Sequence, residues 1–368
     1  MVTWHIKMLK KKNQHFVPQF LLRNFSDGGK HINLLLKATG GVIENARIKT
    51  QCSKDYFYGN DKIENYLSLL ESEFAPLIHI IDKITCADEF SNFLQDSVFY
   101  TNLLRAIVLQ KSRTEVEAEK FQSFSAFTIM EGAKIAIAND SKLKENAHLL
   151  NDARIDVDQS YAAQWQLWMN RSNSIIISDL TPFLLNNSTS FPFVIGDAPV
   201  VFYNLFAYHV KNIGVTAYAS NGLMVFFPIS PHKMIMLIDS NKYNISATGN
   251  FIDLRDYDVN NLNKLQLCNS LNSIYFPQWA SFKYAKKLWK LTKKIMEPPH
   301  IIKEVFPYSN GKLLSFYETQ IKYKLSLSII TPNVMLDPIL FTAGGCVRNP
   351  KIIEQVRTLN KVQSPRNK

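Results

Sequence analysis

The chain has 368 residues, 46% hydrophobic and 20% charged, an ordinary globular composition whose length favours two domains or one large elaborated body. Its longest apolar runs, such as 224–229 and 234–238, are strand-sized, far short of the roughly 18–20 residues that cross a bilayer, and its charged beginning lacks the apolar stretch of a secretion signal. The four cysteines (Cys52, Cys86, Cys268, Cys346) stand far apart, which argues against cysteine-built zinc and for a reduced, cytoplasmic chain. The net charge of +11 is segregated. From Phe282 onward there are 16 Lys/Arg against 5 Asp/Glu, which leaves 26 of each sign before it, so the whole excess sits in the last quarter.

In chain order, the first legible element follows "KKKNQHFV". Pro18 suits the first turn of a helix, where its missing N–H costs nothing, so "PQFLLRNF" reads as a short helix ending near Asp27-Gly28-Gly29. Phe20, Leu21 and Phe25 would face inward, Arg23 would sit on another face, and His15 would lie just ahead in an extended or turn stretch. A hairpin around Gly40-Gly41 is expected next, then "DYFYG" and a long amphipathic helix from about Asn60 or Asp61. In it Ile63, Tyr66, Leu67, Leu70, Phe74, Leu77, Ile78 and Ile81 recur by threes and fours. Asp88 would cap a second long helix burying Phe93, Val98, Leu103, Leu104, Ile107 and Val108. A third covers about 118–138, and "QSYAAQWQLWMNR" forms a fourth.

The pattern then changes to short β-rich runs ("FPFVIG", "VVFYN", "LMVFFPI", "KMIMLID") divided by Pro, Gly and Asp. A helix beginning at Asp258 and a basic helix over about 282–296 follow, and three further runs predict a terminal β-meander. The expected class is α+β, a helical block packed with a small mixed or antiparallel sheet. The expected division is a body over 1–282 and a basic helix with a β-rich C-terminal appendage over 283–368.

Several of these segments together resemble one family, domain of unknown function 4238. They are the opening "QHFVPQFLLRNF", a "DYFY" element, a Gln-x-x-Arg pair (Gln110, Arg113) ending a helix, an Asp-x-Pro strand end (Asp197, Pro199) and a Ser-Pro element in "PISPHK". The resemblance runs in order from His15 to about Phe276. It implies an architecture and site positions rather than a reaction, with a bacterial phage-defence setting as a weaker association.

The residues so marked have definite chemistry. His15 can act as general acid or base near neutral pH or bind a metal; it can also simply hydrogen-bond a backbone carbonyl. Gln110 and Arg113, three apart, share a helix face. Arg offers a planar fork for phosphate and Gln can orient a water, or the pair can bridge structurally to a buried carboxylate. Asp197 at a strand end can bind a metal or act as base, or it can hold its own turn. His232 is a weaker candidate. No nucleophile elbow, His-Glu-x-x-His, Walker loop or dinucleotide glycine pattern is present. In "FKYAKKLWKLTKKIM" an apolar stripe (Tyr284, Leu288, Leu291, Ile295) is surrounded by Lys283, Lys286, Lys287, Lys290, Lys293 and Lys294. Such a surface can neutralise phosphates, lie on an anionic membrane, or be solvated.

The function expected from these features is a nuclease-like effector acting on nucleic acid, RNA included, in bacterial antiphage defence or toxicity. His15 would serve as acid/base, Asp197 as base or ligand of a divalent metal, and Gln110 and Arg113 would position the phosphate. The alternatives are a non-nuclease enzyme acting on a nucleotide and a non-catalytic nucleic-acid-binding module.

Overall fold

The structure, a computed structural model, describes residues 12–333 and 347–363 except 60, 141, 143, 212, 248, 309 and 310. Strand β1 (Asn13–His15) leads through Pro18 into α1 (Gln19–Asn24), followed by the hairpin of β2 (His31–Leu36) and β3 (Val42–Arg47). Strand β4 (Ser53–Asp55) returns to pair antiparallel with β1, His15 opposite Ser53. Leu21 and Phe25 of the opening helix are buried and Arg23 is exposed, as expected of its faces.

The helical block comprises α2 (Asp61–Lys83), α3 (Ala87–Gln95), α4 (Ser97–Ser112), α5 (Glu115–Asn139), α6 (Gln159–Asn170) and α7 (Asn173–Ile176). Helix α2 runs unbroken through Pro76, with Asp61 and Glu64 in its first turn and Lys83 in its last, a distribution that complements the helix dipole. Its buried stripe is Leu67, Leu70, Phe74, Leu77, Ile78 and Ile81; Tyr66, expected inside, is 55% exposed. The single helix expected from Asp88 is two. Asp96 Oδ1 accepts from Val98 N (2.9 Å) and Phe99 N (3.0 Å), an N-cap that starts α4 afresh and leaves Val98 exposed.

The β-rich half supplies β5 (Thr181–Asn186), β6 (Ile195–Gly196), β7 (Val201–Tyr203), β8 (Met224–Pro228), β9 (Lys233–Ile238), β10 (Tyr243–Ile245) and β11 (Phe251–Asp253). Helix α8 (Asp256–Asn269) and β12 (Ser273–Phe276) complete it. One five-stranded sheet has the order β11-β5-β9-β8-β7, mixed because β11 joins β5 in parallel; β8 and β9 are buried along their whole length, which explains their unbroken apolar runs. A four-stranded sheet, β3-β2-β12-β6, carries Asp197 just past its edge strand. The chain is α+β.

Helix α9 (Phe282–Thr292) buries Tyr284, Ala285, Leu288 and Thr292 in a second core with Leu35, Ile274 and Phe276. Trp289 Nε1 donates to Lys37 O (2.8 Å), and its ring lies so close over Gly40 (φ +71°) that a Cβ there would stand 2.6 Å away. Leu291, expected in the buried stripe, is exposed. Strands β13 (Ile301–Tyr308) and β14 (Gly311–Glu318) form a hairpin. The third run of the expected meander is not a strand. It keeps the in/out alternation of Leu325 and Leu327 against Lys322 and Lys324, but side chains take its backbone groups. Tyr203 Oη donates to Tyr323 O (3.1 Å) and accepts from Leu325 N (2.9 Å), and Asp258 Oδ1 accepts from Ser328 N (2.6 Å). Strand β15 (Ile330–Pro332) then pairs with β10, and helix α10 (Pro350–Gln363) closes the described chain.

Candidate functional site

The opening segment is held by polar groups from three directions. Gln14 Oε1 accepts from Tyr58 N (2.6 Å), and Phe16 N donates to Cys52 O (2.9 Å). Gln110 Nε2, one turn from the end of α4, donates to Phe16 O (3.1 Å). Arg113, which follows α4 and is 2% exposed, donates from Nη2 to His15 O (2.6 Å) and pairs through Nη1 with Glu71 Oε1 of α2 (2.8 Å). Tyr58 Oη donates to Arg113 O (2.9 Å). The "QHFVP", "DYFYG" and Gln-x-x-Arg segments thus interlock. A buried guanidinium needs such a set, because an unpaired one would carry a desolvation penalty of several kcal/mol.

Gln110 and Arg113 therefore come together with His15, but through its backbone. Both are positioning residues. With Arg113 spent on a carbonyl and a carboxylate, the cation left to meet a substrate on this side is Arg23 of α1, which bonds Gln19 Oε1 (2.9 Å) and is exposed.

The side chain of His15 lines a cleft of ≈ 320 Å³ between α1 and α2, bounded by Gln19, Arg23, Glu64, Ser68 and Glu71. The α2 residues are spaced by threes and fours along one face. His15 Nε2 lies 3.1 Å from Lys49 O. A carbonyl can only accept, so Nε2 carries the proton and Nδ1 keeps its lone pair. Burial pushes the imidazole below its ordinary pKa; the Lys49 carbonyl works against this and the Arg113 charge adds to it. The ring is neutral at pH 7, the form a general base requires.

Asp197 lies apart from this cleft. Its Oδ1 accepts from Leu271 N (2.7 Å), and its Oδ2 from Asn272 N (2.6 Å) and Ser273 N (2.9 Å), so it holds the turn between α8 and β12. Burial raises its pKa against the pull of these three donors. Lys37 completes the arrangement from the other pole, donating to Cys268 O (3.3 Å) and Ser270 O at the end of α8; burial brings its ammonium down to about 8. A metal at Asp197 would have to displace backbone donors, and among the described residues no three His, Cys, Asp or Glu side chains converge to hold a metal ion. The site is accordingly built without Asp197. His232 lies on the exposed turn after Ser230-Pro231, its Nδ1 3.3 Å from Asn187 O and its ring stacked on Trp279, away from the cleft's lining.

Glu71 and Arg23 escaped the sequence reading. Each occupies an unremarkable polar helix position, and only the crossing of α1, α2 and α4 gives them partners. The face of α2 next to the cleft lines a second groove of ≈ 310 Å³ with Leu70, Phe74, Arg105, Trp168 and Arg171, at whose edge Tyr66 and Trp168 are exposed. Arg171 sits 5.3 Å from the Trp168 ring centroid and Arg105 6.0 Å from that of Phe74. All six lysines of the basic segment, Lys283 to Lys294, are exposed. Among the described residues no helix is long and apolar enough to cross a membrane.

A family model described as "Protein of unknown function (DUF4238)" matches residues 13–278, most of the chain, so the protein belongs to that family. No curated protein and no solved structure matches it.

Proposed function

We propose that the protein is a hydrolase of phosphodiester bonds in single-stranded nucleic acid, RNA included, with His15 as general base. The observation that carries this is the buried, neutral His15, anchored through Nε2 on Lys49 O and lining an open polar cleft. Nδ1 would take the proton of the attacking hydroxyl, and Arg23 at the cleft would meet the phosphate charge. Arg113 and Gln110 act through the backbone that holds His15 in place. The aromatic–arginine groove on the adjacent face of α2 offers bases a stacking surface, and the lysines of α9 offer phosphates a cationic one. No step is routed through a metal.

The test is cleavage of fluorescently labelled single-stranded RNA and DNA, with and without EDTA, by the native chain and His15→Gln. Cleavage that survives EDTA and drops at least about 100-fold in the variant is expected. A cleavage rate equal in both proteins refutes the role of His15. In the effector setting, expression should arrest a bacterial host and His15→Gln should relieve the arrest.

The six exposed lysines favour a second reading, a non-catalytic nucleic-acid-binding module. Retained binding of both nucleic acids with no turnover by the native chain would select it.

A further inference from the structure

On the far side of α4 lies a cavity of ≈ 400 Å³, distinct from the cleft at His15, enclosed by α4, α5, α6, residues 216–218 and the end of the β13–β14 hairpin. One wall is aromatic. Phe124 and Phe316 meet edge to face with centroids 4.7 Å apart, and Phe121 tilts against Phe124 at 6.2 Å. The opposite part is ionic and self-neutralising. Glu117 Oε1 accepts from Lys111 Nζ and from Lys120 Nζ (2.7 Å), and Lys120 also reaches Glu318 Oε1 (2.7 Å). Lys111 lies 5.2 Å from the centroid of Phe202. Two cations and two carboxylates satisfy one another here, and Glu117 is held down to about 2, its two lysines outweighing burial, so it stays ionised.

One polar group of the lining lacks this satisfaction. Thr216 is 4% exposed, and its Oγ1 has no hydrogen-bond partner among the described residues. Leaving a buried hydroxyl unpaired is unfavourable, and a donor or acceptor entering the cavity would relieve it.

We propose that this cavity binds an uncharged, planar aromatic small molecule of the nucleoside class, its ring against Phe121, Phe124 and Phe316 and a polar group on Thr216 Oγ1. The volume lies within the range of small-molecule pockets. The charge argument selects against ions. A phosphate or carboxylate would have to take Lys111 or Lys120 from Glu117, and an ammonium would have to displace a lysine already in place. An uncharged heterocycle with hydrogen-bonding edges meets the aromatic wall and the hydroxyl without breaking a pair. The inference stands independently of any reaction at His15.

Calorimetric titration of the full chain with adenosine, guanosine, cytidine and uridine, and with their 5′-monophosphates, tests it. Saturable binding of at least one nucleoside is expected, with its monophosphate at least about 10-fold weaker because the added charge meets Glu117 and Glu318. Thr216→Val keeps the shape and should weaken that nucleoside about 3- to 10-fold, the worth of one hydrogen bond. Phe316→Ala should weaken it further, with both variants checked for native circular dichroism. No saturable binding by any nucleoside overturns the proposal. So does a monophosphate that binds more tightly than its nucleoside, or an affinity unchanged in both folded variants.

Discussion

Replacing Arg113 by Met removes the cation at the junction of β1, α2 and α4 while keeping much of its length. Two contacts set the expected cost. The ion pair to Glu71 is buried on the arginine side and 28% exposed on the glutamate side. Breaking a buried pair by removing one partner costs about 3–5 kcal/mol, and the partial exposure of Glu71 places this case near the lower end, about 3 kcal/mol. The His15 carbonyl loses a donor at 2.6 Å, and stranding such a group adds about 1–3 kcal/mol. Allowing for relaxation and non-additivity, Arg113→Met should lower unfolding stability by about 4 kcal/mol. Arg113→Lys keeps the charge but cannot present a fork to a carbonyl and a carboxylate together, and should lose about 2 kcal/mol. Urea denaturation followed by circular dichroism measures both, and a double-mutant cycle with Glu71→Gln isolates the pair, whose coupling should exceed about 1 kcal/mol. A loss below about 1 kcal/mol for Arg113→Met, or negligible coupling to Glu71, would refute the positioning role.

Asp197→Asn turns one of two acceptor oxygens into a donor facing backbone N–H groups, so the melting temperature should fall by several degrees, on the order of 2 kcal/mol; an unchanged melting temperature would return Asp197 to the list of chemical candidates. Reversing Lys286, Lys287, Lys290 and Lys294 to Glu should leave the fold intact, since all four are exposed. It should weaken polyanion binding and flatten its log–log salt slope by up to about 4, whereas unchanged RNA binding with lost adsorption to anionic vesicles would make the helix a membrane-surface element. His15 has a depressed folded pKa, so between that value and about 6.5 the unfolded chain binds the extra proton and stability rises with pH, levelling off above about 6.5. His15→Gln should remove this component, which denaturation series at pH 5 to 7.5 would show; identical slopes would mean that His15 is not held neutral by the fold.

Much of the architecture was legible before any coordinates, because the signals are local. The threefold and fourfold recurrence of Leu67 through Ile81 specifies a helix and its buried face whatever packs against it, and Pro18 marks a helix start through its own missing N–H. The fully apolar runs at 224–228 and 233–238 announce strands covered on both faces, and the family's opening, Gln-x-x-Arg and Asp-x-Pro segments stand at their expected places in the chain. Nearest-neighbour chemistry also explains the local misreading at Asp96, whose side chain competes for the backbone and splits one expected helix in two. What only the tertiary structure decided is where each polar side chain spends its hydrogen bonds. Arg113 and Asp197 carry groups suited to catalysis, yet one is consumed by a carbonyl from residue 15 and a carboxylate from residue 71, and the other by three amides from residues 271–273. Those partners lie tens of residues away in sequence, and no periodicity encodes them. The same holds for the cleft, whose Glu71 and Arg23 become neighbours of His15 only when α1 packs across α2. Backbone periodicity is a property of the chain alone, whereas the satisfaction of a buried charge depends on which distant segment desolvates it.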